Sequence, residues 1–203
     1  MASFWIGTFM AGKVDSLGDE SIQTKFIMLG LPAIPLESIY CLKDTVRRVV
    51  GIPIGLYPRS VAAAYLRWWF GGGALVMIYM GLSSGRGDLL AYGMLAGVTA
   101  VSTIWLGRLT PRERKRRQIL ASVVGIGAPP RWLPAGIVYE TKPKLEKAWK
   151  QSRYGEYHED WRSVSVRSVP NGLLPLLFCL ALYQGERQFA DKVWEVIEER
   201  MEE

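Results

Sequence analysis

The sequence has few of the side chains that perform chemistry. Among its 203 residues there is one histidine, His158, and there are two cysteines, Cys41 and Cys179. It contains no P-loop, no dinucleotide-binding Gly-x-Gly-x-x-Gly and no His-Glu-x-x-His motif. With a single imidazole, acid–base or metal catalysis would depend on carboxylates, and the largest group of these lies in an amphipathic C-terminal segment. The sequence therefore predicts neither an enzyme nor a bound cofactor or metal.

Charged residues are missing from two long stretches of the chain. None occurs in residues 68–85 or in residues 89–107, and a short polar bend joins the two stretches. Because about twenty apolar residues in a helix cover a hydrocarbon core of about 30 Å, residues 61–107 are predicted to form a transmembrane helical hairpin. The alternative is a buried hairpin inside a soluble protein, although core helices usually keep one polar face.

Basic residues gather at the end of the hairpin where the chain enters and leaves it, opposite the bend. The bend between the two runs has Arg86 beside Asp88, whereas the other Lys and Arg residues near the hairpin precede or follow it. Positive charge is retained on the cytoplasmic side of a membrane. We therefore expect an integral membrane protein with two spans and both termini in the cytoplasm, placed in the inner membrane if the source is bacterial. Arg67, about one turn inside the first run, is expected to reach lipid headgroups.

The segment after the hairpin carries most of the net charge of +6. Thr110, Pro111 and Glu113 match a capping box with proline at the first helical position, which predicts a basic juxtamembrane helix over residues 108–124. Clustered bases beside a membrane favour contact with anionic lipid headgroups over nucleic acid. The alternative is a connecting helix with solvated charges. The predicted headgroup contacts are Arg108, Arg112, Arg114, Lys115, Arg116 and Arg117.

Small residues recur at helical spacing in the second apolar run. Gly93, Gly97 and Ala100 fall on one face of a helix and would let another helix approach closely. We expect them to pack the two spans of the hairpin against each other. The same pattern also serves helix dimers, so it does not predict an oligomeric state.

Residues 1–58 are predicted to form a small β meander. Ile22, Thr24 and Phe26 alternate with polar residues in the period-two pattern of a half-buried strand. Further strands are expected over residues 4–14, 36–43 and 46–54. Because the first of these is apolar on both faces, the unit is expected to pack against another surface.

Residues 131–203 are predicted to form a mainly helical cytoplasmic domain. Helices are expected over residues 141–151 and 173–183, the second buried and capped by Asn171, and an amphipathic helix is expected to follow Gly185. Residues 163–169 alternate Val with Ser and Arg, which indicates a short exposed strand. Cys41 and Cys179 are interpreted as small buried hydrophobic residues, because a reducing compartment disfavours disulfides.

These observations predict an α+β membrane protein without catalytic machinery. The favoured function is that of an accessory, scaffold or anchoring subunit of a larger membrane complex, with the lipid bilayer, anionic lipids and other membrane subunits as partners and no role for nucleic acid. One alternative is a regulatory module that responds to anionic lipid. Another is an enzyme acting on a membrane-bound substrate, with His158 and Glu159 in the segment 154–160 as the candidate groups.

Overall fold

The computed structural model describes residues 6–29, 31–45, 48–158 and 160–202. The chain has an α+β fold in which a four-stranded antiparallel sheet is followed by helices, as the sequence predicts. It divides into two compact units, Met1–Pro111 and Arg112–Glu203. The first contains the sheet and a helical hairpin, and the second is helical.

The sheet is a meander with the strand order β1-β2-β3-β4. Every neighbouring pair is antiparallel, so these strands pair within the chain. The first and third strands extend beyond the expected bounds, and bulges interrupt each of the three pairings. The strands are β1 (Ile6–Leu17), β2 (Glu20–Leu29), β3 (Pro32–Thr45) and β4 (Arg48–Ile54).

One face of the sheet is buried because its apolar residues line up across the strands. Ile22 of β2 pairs with Tyr40 of β3, which pairs with Ile52 of β4. All three are buried, as is Phe26, four residues further along β2. Partners directly opposite each other in a sheet share a face, so a row of apolar partners becomes a continuous core surface. The alternating residues of β2 therefore form one buried face of the sheet, as the sequence predicts.

The first helix after the sheet packs on this face. It consists of α1 (Pro58–Tyr65), a π-helical turn (Leu66–Phe70) and α2 (Gly71–Ser84), which follow one another without a break. Ala64 of α1 packs in a cluster with Ala11 and Phe26 of the sheet. The helix begins at Pro58, whose missing N–H costs nothing in the first turn, and Ser60 lies inside the helix.

The second hairpin helix, α3 (Gly87–Leu106), follows a tight bend. Gly85 adopts a left-handed conformation with φ of 69° and caps the end of α2. The helices Pro58–Ser84 and Gly87–Trp105 are long and apolar enough to cross a membrane. Most of their surface lies outside the protein core: Leu75 is 72% exposed and Val98 is 67% exposed.

The second unit begins with the basic helix and is built from five helices and three 3₁₀ turns among the residues that the structure describes. The expected helix over residues 141–151 begins earlier, at Ala135, and the polar segment after it contains a further short helix. Residues 163–169 do not form a strand, because Asp160 and Ser165 each begin a 3₁₀ turn. The helices are α4 (Pro111–Val124), α5 (Ala135–Gln151), α6 (Arg153–Tyr157), α7 (Leu174–Gln184) and α8 (Arg187–Glu202).

The core of this unit lies around α7. Leu177, Phe178 and Leu180 of α7 are buried, and Val193 and Trp194 of α8 are buried as well. The rings of Phe178 and Trp194 lie 5.4 Å apart. This pairing agrees with the expectation of a buried helix followed by an amphipathic one.

Asn171 does not cap α7, whose preceding residue Leu173 provides no side-chain cap. The side-chain oxygen of Asn171 instead accepts a hydrogen bond from Arg200 of α8. The same guanidinium donates to the backbone carbonyls of Arg167 and Val169 at 2.7 and 2.8 Å. Arg200 therefore fixes the segment before α7 to the end of α8, a long-range contact that local capping rules do not reveal.

Candidate functional site

Arg67 joins both hairpin helices to the sheet. It lies in the π-helical turn, and its guanidinium donates to the backbone carbonyl of Lys13 in β1 at 2.8 Å. It also donates to the backbone carbonyl of Thr103 in α3 at 3.1 Å and to the Thr103 hydroxyl at 3.3 Å. The expectation that this side chain reaches lipid headgroups is therefore wrong, because its hydrogen bonds are made inside the protein.

Asp15 forms a second junction at the same end of the hairpin. It is a strand residue with a positive φ of 52°, and it is 1% exposed. Its backbone N–H donates to the carbonyl of Gly107 at the end of α3, over 2.7 Å. Its carboxylate accepts a hydrogen bond from the Tyr57 hydroxyl at 2.7 Å and forms an ion pair with Arg59 at 3.2 Å. A single strand residue thus contacts the chain both just before the first hairpin helix and just after the second.

The environment of Tyr57 shows how closed this junction is. Burial raises the pKa of the phenol, and the hydrogen bond to Asp15 raises it further. Both effects arise because the phenolate would lose water and stand beside a carboxylate. Tyr57 therefore stays protonated and remains a hydrogen-bond donor to Asp15 throughout the neutral pH range.

A chain of buried hydroxyls attaches α1 to the middle of the sheet. Ser60 donates to the backbone carbonyl of Gly12 at 2.7 Å and accepts from the Thr24 hydroxyl at 2.8 Å. The Thr24 and Ser38 hydroxyls lie 2.7 Å apart. Buried polar groups that are fully hydrogen-bonded hold one arrangement and resist others. We call the set Asp15, Ser60, Arg67, Thr103 and Gly107 the hairpin base.

Inside the hairpin, small residues bring the two helices into contact. A Cβ on Gly93 would lie 3.0 Å from the backbone nitrogen of Ile78 and 3.1 Å from the carbonyl oxygen of Ala74. At Gly97 and at Gly71, an added Cβ would meet Ala74 and Ala100 respectively, each at 3.8 Å. The three residues that the sequence analysis assigns to helix packing thus lie at the α2–α3 contact, and Gly93 makes the closest approach.

The basic stretch does not form one exposed surface. Arg117 is 1% exposed, and its guanidinium lies 4.7 Å from the centre of the Trp132 ring. Arg116 lies 4.9 Å from the centre of the Trp194 ring and pairs with Asp191 at 3.2 Å. Arg117 thus belongs to the core of the second unit, and Arg116 is half-buried beside it. The sequence cannot show this, because their partners lie far along the chain.

The other four predicted headgroup contacts lie at the surface. Arg112 pairs with Glu198 at 2.8 Å, and Arg108 lies over the ring of Trp105 at 4.8 Å. Arg114 and Lys115 are exposed. Only part of the basic stretch is therefore available to an outside partner.

Arg116 and Arg117 line a cavity in the second unit. It has a volume of about 460 Å³ and lies between α4, the 3₁₀ turn at residues 130–132, α7 and α8. Two further arginines, Arg131 and Arg187, complete its basic lining. Its apolar lining is Leu120, Pro129, Pro130, Phe178 and Leu182, and its acidic residues are Glu113 and Asp191. We call this cavity the arginine pocket.

The only histidine makes structural contacts. Its ring lies 4.8 Å from that of Tyr154, and its backbone carbonyl accepts a hydrogen bond from the indole of Trp149 at 3.0 Å. Among the described residues, no group of three His, Cys, Asp or Glu side chains is placed to hold a metal. Glu159, its suggested partner, lies outside the described residues. Catalysis at this segment stays a hypothesis from the sequence.

Gly81-Leu82-Ser83-Ser84-Gly85 matches the Gly-x-Ser-x-Gly letters of a serine-hydrolase nucleophile elbow. That motif requires a sharp turn between a strand and a helix. Here it lies at the end of a helix, and the Ser83 hydroxyl donates to the carbonyl of Met80 at 3.1 Å. The match therefore lacks the structural context of a nucleophile.

Both cysteines are buried and form no disulfide with each other, which agrees with their interpretation as small hydrophobic residues. Burial raises the pKa of the Cys179 thiol to about 12. Burial likewise raises the pKa of Tyr183 to about 12, with a contribution from nearby Cys179. Such a thiol has almost no thiolate at neutral pH and is a poor nucleophile.

Comparison with known proteins supplies no relative: no protein-family model matches the chain, and it matches neither a curated protein nor a solved structure.

Proposed function

We propose that the protein is a membrane-anchored accessory or scaffold subunit of a larger membrane complex. The observation that carries this proposal is the hairpin base. Arg67 and Asp15 fix the sheet to both hairpin helices at the end where the hairpin begins and ends. Such a connection holds the sheet at a defined place beside the hairpin, which is what an anchoring subunit needs.

The surface of the hairpin supports an anchoring role. Its outward side chains are apolar, and Leu75, Tyr79 and Leu82 are each at least 70% exposed. Apolar surface of this extent is unstable in water and is covered by lipid or by other transmembrane helices. The one charged side chain well inside these two spans, Arg67, makes its hydrogen bonds within the protein. The spans thus offer none of the buried ionisable groups that mark a transport path.

The sheet offers a surface for partners. Ile34 and Leu36, near the start of β3, are exposed, at 54% and 44%. In an assembled complex, these side chains would be covered by a neighbouring subunit.

Mild-detergent extraction of the native membrane, followed by sizing and mass spectrometry, tests the proposal. We expect a discrete particle with fixed partner proteins. Ile34→Asp should release those partners, because it places a charge in the contact. Ser84→Asp, which adds the same charge in the exposed bend, should leave the particle intact. A stable, strictly monomeric protein would contradict the proposal.

We further propose that the hairpin crosses the membrane twice with both termini in the cytoplasm. The basic residues on either side of the hairpin support this orientation. In a background without cysteine, Ser84→Cys should react with a membrane-impermeant maleimide from outside the cell. Gln118→Cys, exposed on α4, should react only after the membrane is opened. The reverse pattern would contradict this orientation.

A second candidate function is recognition of anionic lipid by the exposed part of the basic stretch. Arg108, Arg114 and Lys115 support it, because all three are exposed and follow the hairpin closely in the chain. Each base beside an anionic membrane contributes about 1 kcal/mol. The combined change Arg114→Glu and Lys115→Glu should remove a preference for anionic vesicles while leaving the thermal unfolding temperature unchanged. Persistence of the preference would exclude this candidate.

A further inference from the structure

The charges of the arginine pocket do not balance. Four guanidinium groups face two carboxylates, and each carboxylate is paired with an arginine of α4. Glu113 lies 3.6 Å from Arg117, and Asp191 lies 3.2 Å from Arg116. Within the part of the chain that the structure describes, Arg131 and Arg187 have no carboxylate in ion-pair distance. The pocket wall therefore carries a surplus of two positive charges.

Aromatic rings hold the guanidinium groups in place. Arg117 and Arg131 both lie over Trp132, at 4.7 and 5.5 Å from the ring centre. Two like charges at one ring repel each other, whereas an anion between them would be attracted to both. Arg116 is held over Trp194, and within the described residues its buried Nε has no hydrogen-bond acceptor. These three arginines are thus arranged before any ligand arrives, which reduces the entropy lost on binding.

The rest of the pocket wall is apolar. Leu182, Pro129 and Pro130 are half-buried and present apolar surface to the cavity, and Leu120 and Phe178, 2% and 1% exposed, lie behind them. A volume of about 460 Å³ lies within the range of roughly 300–1,000 Å³ that is typical of small-molecule sites. A bare anion would leave this apolar wall in contact with water.

We propose that the arginine pocket binds a phosphate monoester attached to an apolar group. Guanidinium forks match phosphate oxygens in two-point hydrogen bonds. A phosphate monoester carries about −1.5 to −2 charges at neutral pH, which balances the surplus of the pocket wall. The apolar group would then lie against Leu182, Pro129 and Pro130. This inference concerns the second unit and does not depend on the anchoring function proposed above.

Calorimetric titration of the full-length protein in phosphatidylcholine nanodiscs tests the assignment. Phenyl phosphate is the probe, with inorganic phosphate and phenol as its two fragments. We expect phenyl phosphate to bind more tightly than either fragment, because it alone can contact both the arginines and the apolar lining of the pocket. Absence of binding at millimolar phenyl phosphate would overturn the proposal, and equal affinity for inorganic phosphate would overturn the assignment of an apolar group.

Arginine variants test whether binding occurs in this pocket. Arg131→Gln and Arg187→Gln should each weaken phenyl phosphate binding by about tenfold or more. Both side chains are exposed, so the variants are expected to fold, which thermal unfolding checks. Arg153→Gln removes an exposed arginine of α6 outside the pocket and should leave the affinity unchanged. If Arg131→Gln and Arg187→Gln bind as wild type does, the pocket assignment is wrong.

The same assay distinguishes a lipid from a water-soluble ligand. Both carry the proposed chemistry, since phosphatidate presents a phosphate monoester on an apolar chain. If phosphatidate in the nanodisc competes with phenyl phosphate, a lipid headgroup enters the pocket. If phenyl phosphate binds equally well with and without phosphatidate, the pocket serves a soluble phosphate ester. Either result supports the proposed ligand chemistry.

Discussion

At Gly12, the backbone of β1 passes so close to α1 that no side chain fits. An added Cβ would lie 2.0 Å from the carbonyl oxygen of Ser60, and the residue has a φ of 71°. Gly12→Ala should therefore destabilise the protein by more than about 3 kcal/mol, because the helix must move off the sheet and break the Ser60 hydrogen bond. Chemical unfolding in detergent, followed by circular dichroism, measures the change.

Gly18 is the matched control for this prediction. Its φ of 59° is similar, but an added Cβ would have no neighbour within 4 Å. Gly18→Ala should cost only the backbone strain of about 1 kcal/mol. Equal destabilisation by the two substitutions would show that the contact with Ser60 is not the cause.

The buried thiol of Cys179 makes the folded protein less stable at alkaline pH. Its pKa rises from 9.0 in the unfolded chain to about 12 in the fold, so the folded state keeps a proton that the unfolded state loses. The contribution is fully present below pH 9 and is lost as pH rises from there to about 12, by about 4 kcal/mol in total. Tyr183 acts in the same direction. Urea unfolding measured from pH 8 to pH 11 should show falling stability.

Cys179→Ala should flatten this alkaline slope, because it removes the titrating thiol. The substitution also creates a small cavity, so its stability at pH 8 will be lower than that of wild type. Leu180→Val creates a cavity nearby without removing a titrating group and should keep the wild-type slope. An unchanged slope in Cys179→Ala would contradict the assignment.

At the residue scale, the sequence reveals chemistry but not surroundings. It identifies the bases of the 108–117 segment, yet it cannot separate the buried Arg117 from the exposed Arg114. The difference arises from Trp132, which lies fifteen positions beyond Arg117 in the chain. Arg131 and Arg187 were missed for the same reason, since no local pattern joins them to α4.

At the scale of elements, the α2–α3 contact separates two glycines of similar appearance. Gly93→Ala should destabilise the hairpin, because its Cβ would meet the backbone of the facing helix at 3.0 Å. Gly97→Ala should be neutral or stabilise it by no more than about 1 kcal/mol, since its Cβ finds ordinary contact at 3.8 Å. Thermal unfolding of both variants in nanodiscs checks the order. A greater loss in Gly97→Ala would contradict this packing.

Elements with a strong periodic pattern could be predicted, and irregular ones could not. The alternation in β2 and the apolar runs of the hairpin correspond to the observed strand and helices. Residues 163–169 alternate in the same way but contain a 3₁₀ turn. Local hydrogen bonds compete with strand pairing there: Asp160 accepts from the Arg162 N–H, and the Ser168 hydroxyl donates to the Ser165 carbonyl. A period-two pattern of seven residues is therefore a weak indicator of a strand here.

At the scale of the whole molecule, the division after Pro111 predicts two independently folding parts. Residues 112–203 expressed alone should form a helical protein that unfolds in one cooperative transition, because α7 is buried against α8 within that unit. Residues 1–111 alone should sediment with membranes. Circular dichroism and membrane fractionation test the two fragments. A gradual, non-cooperative melt of residues 112–203 would contradict the division.

The order of the units was accessible from the sequence, whereas their internal connections were not. Composition separates a β-rich start, an apolar hairpin and a helical end. The bonds that attach the sheet to the hairpin depend on Asp15 in a left-handed conformation and on Arg67, which contacts Lys13 and Thr103 from afar. Such contacts follow from the three-dimensional arrangement and produce no recognisable residue pattern in the sequence.

The π-helical turn at Leu66–Phe70 sets the rotational phase between two helical faces. Before it, Ala64 faces the sheet, and after it, Ala74 faces α3. One residue of an α-helix corresponds to a rotation of about 100° about the axis. Removing one residue from this turn would point one of the two faces away from its partner. The length of this five-residue segment is therefore fixed by the packing on either side of it. Insertions in the Gly85–Gly87 bend should be tolerated far better than insertions in the π-helical turn.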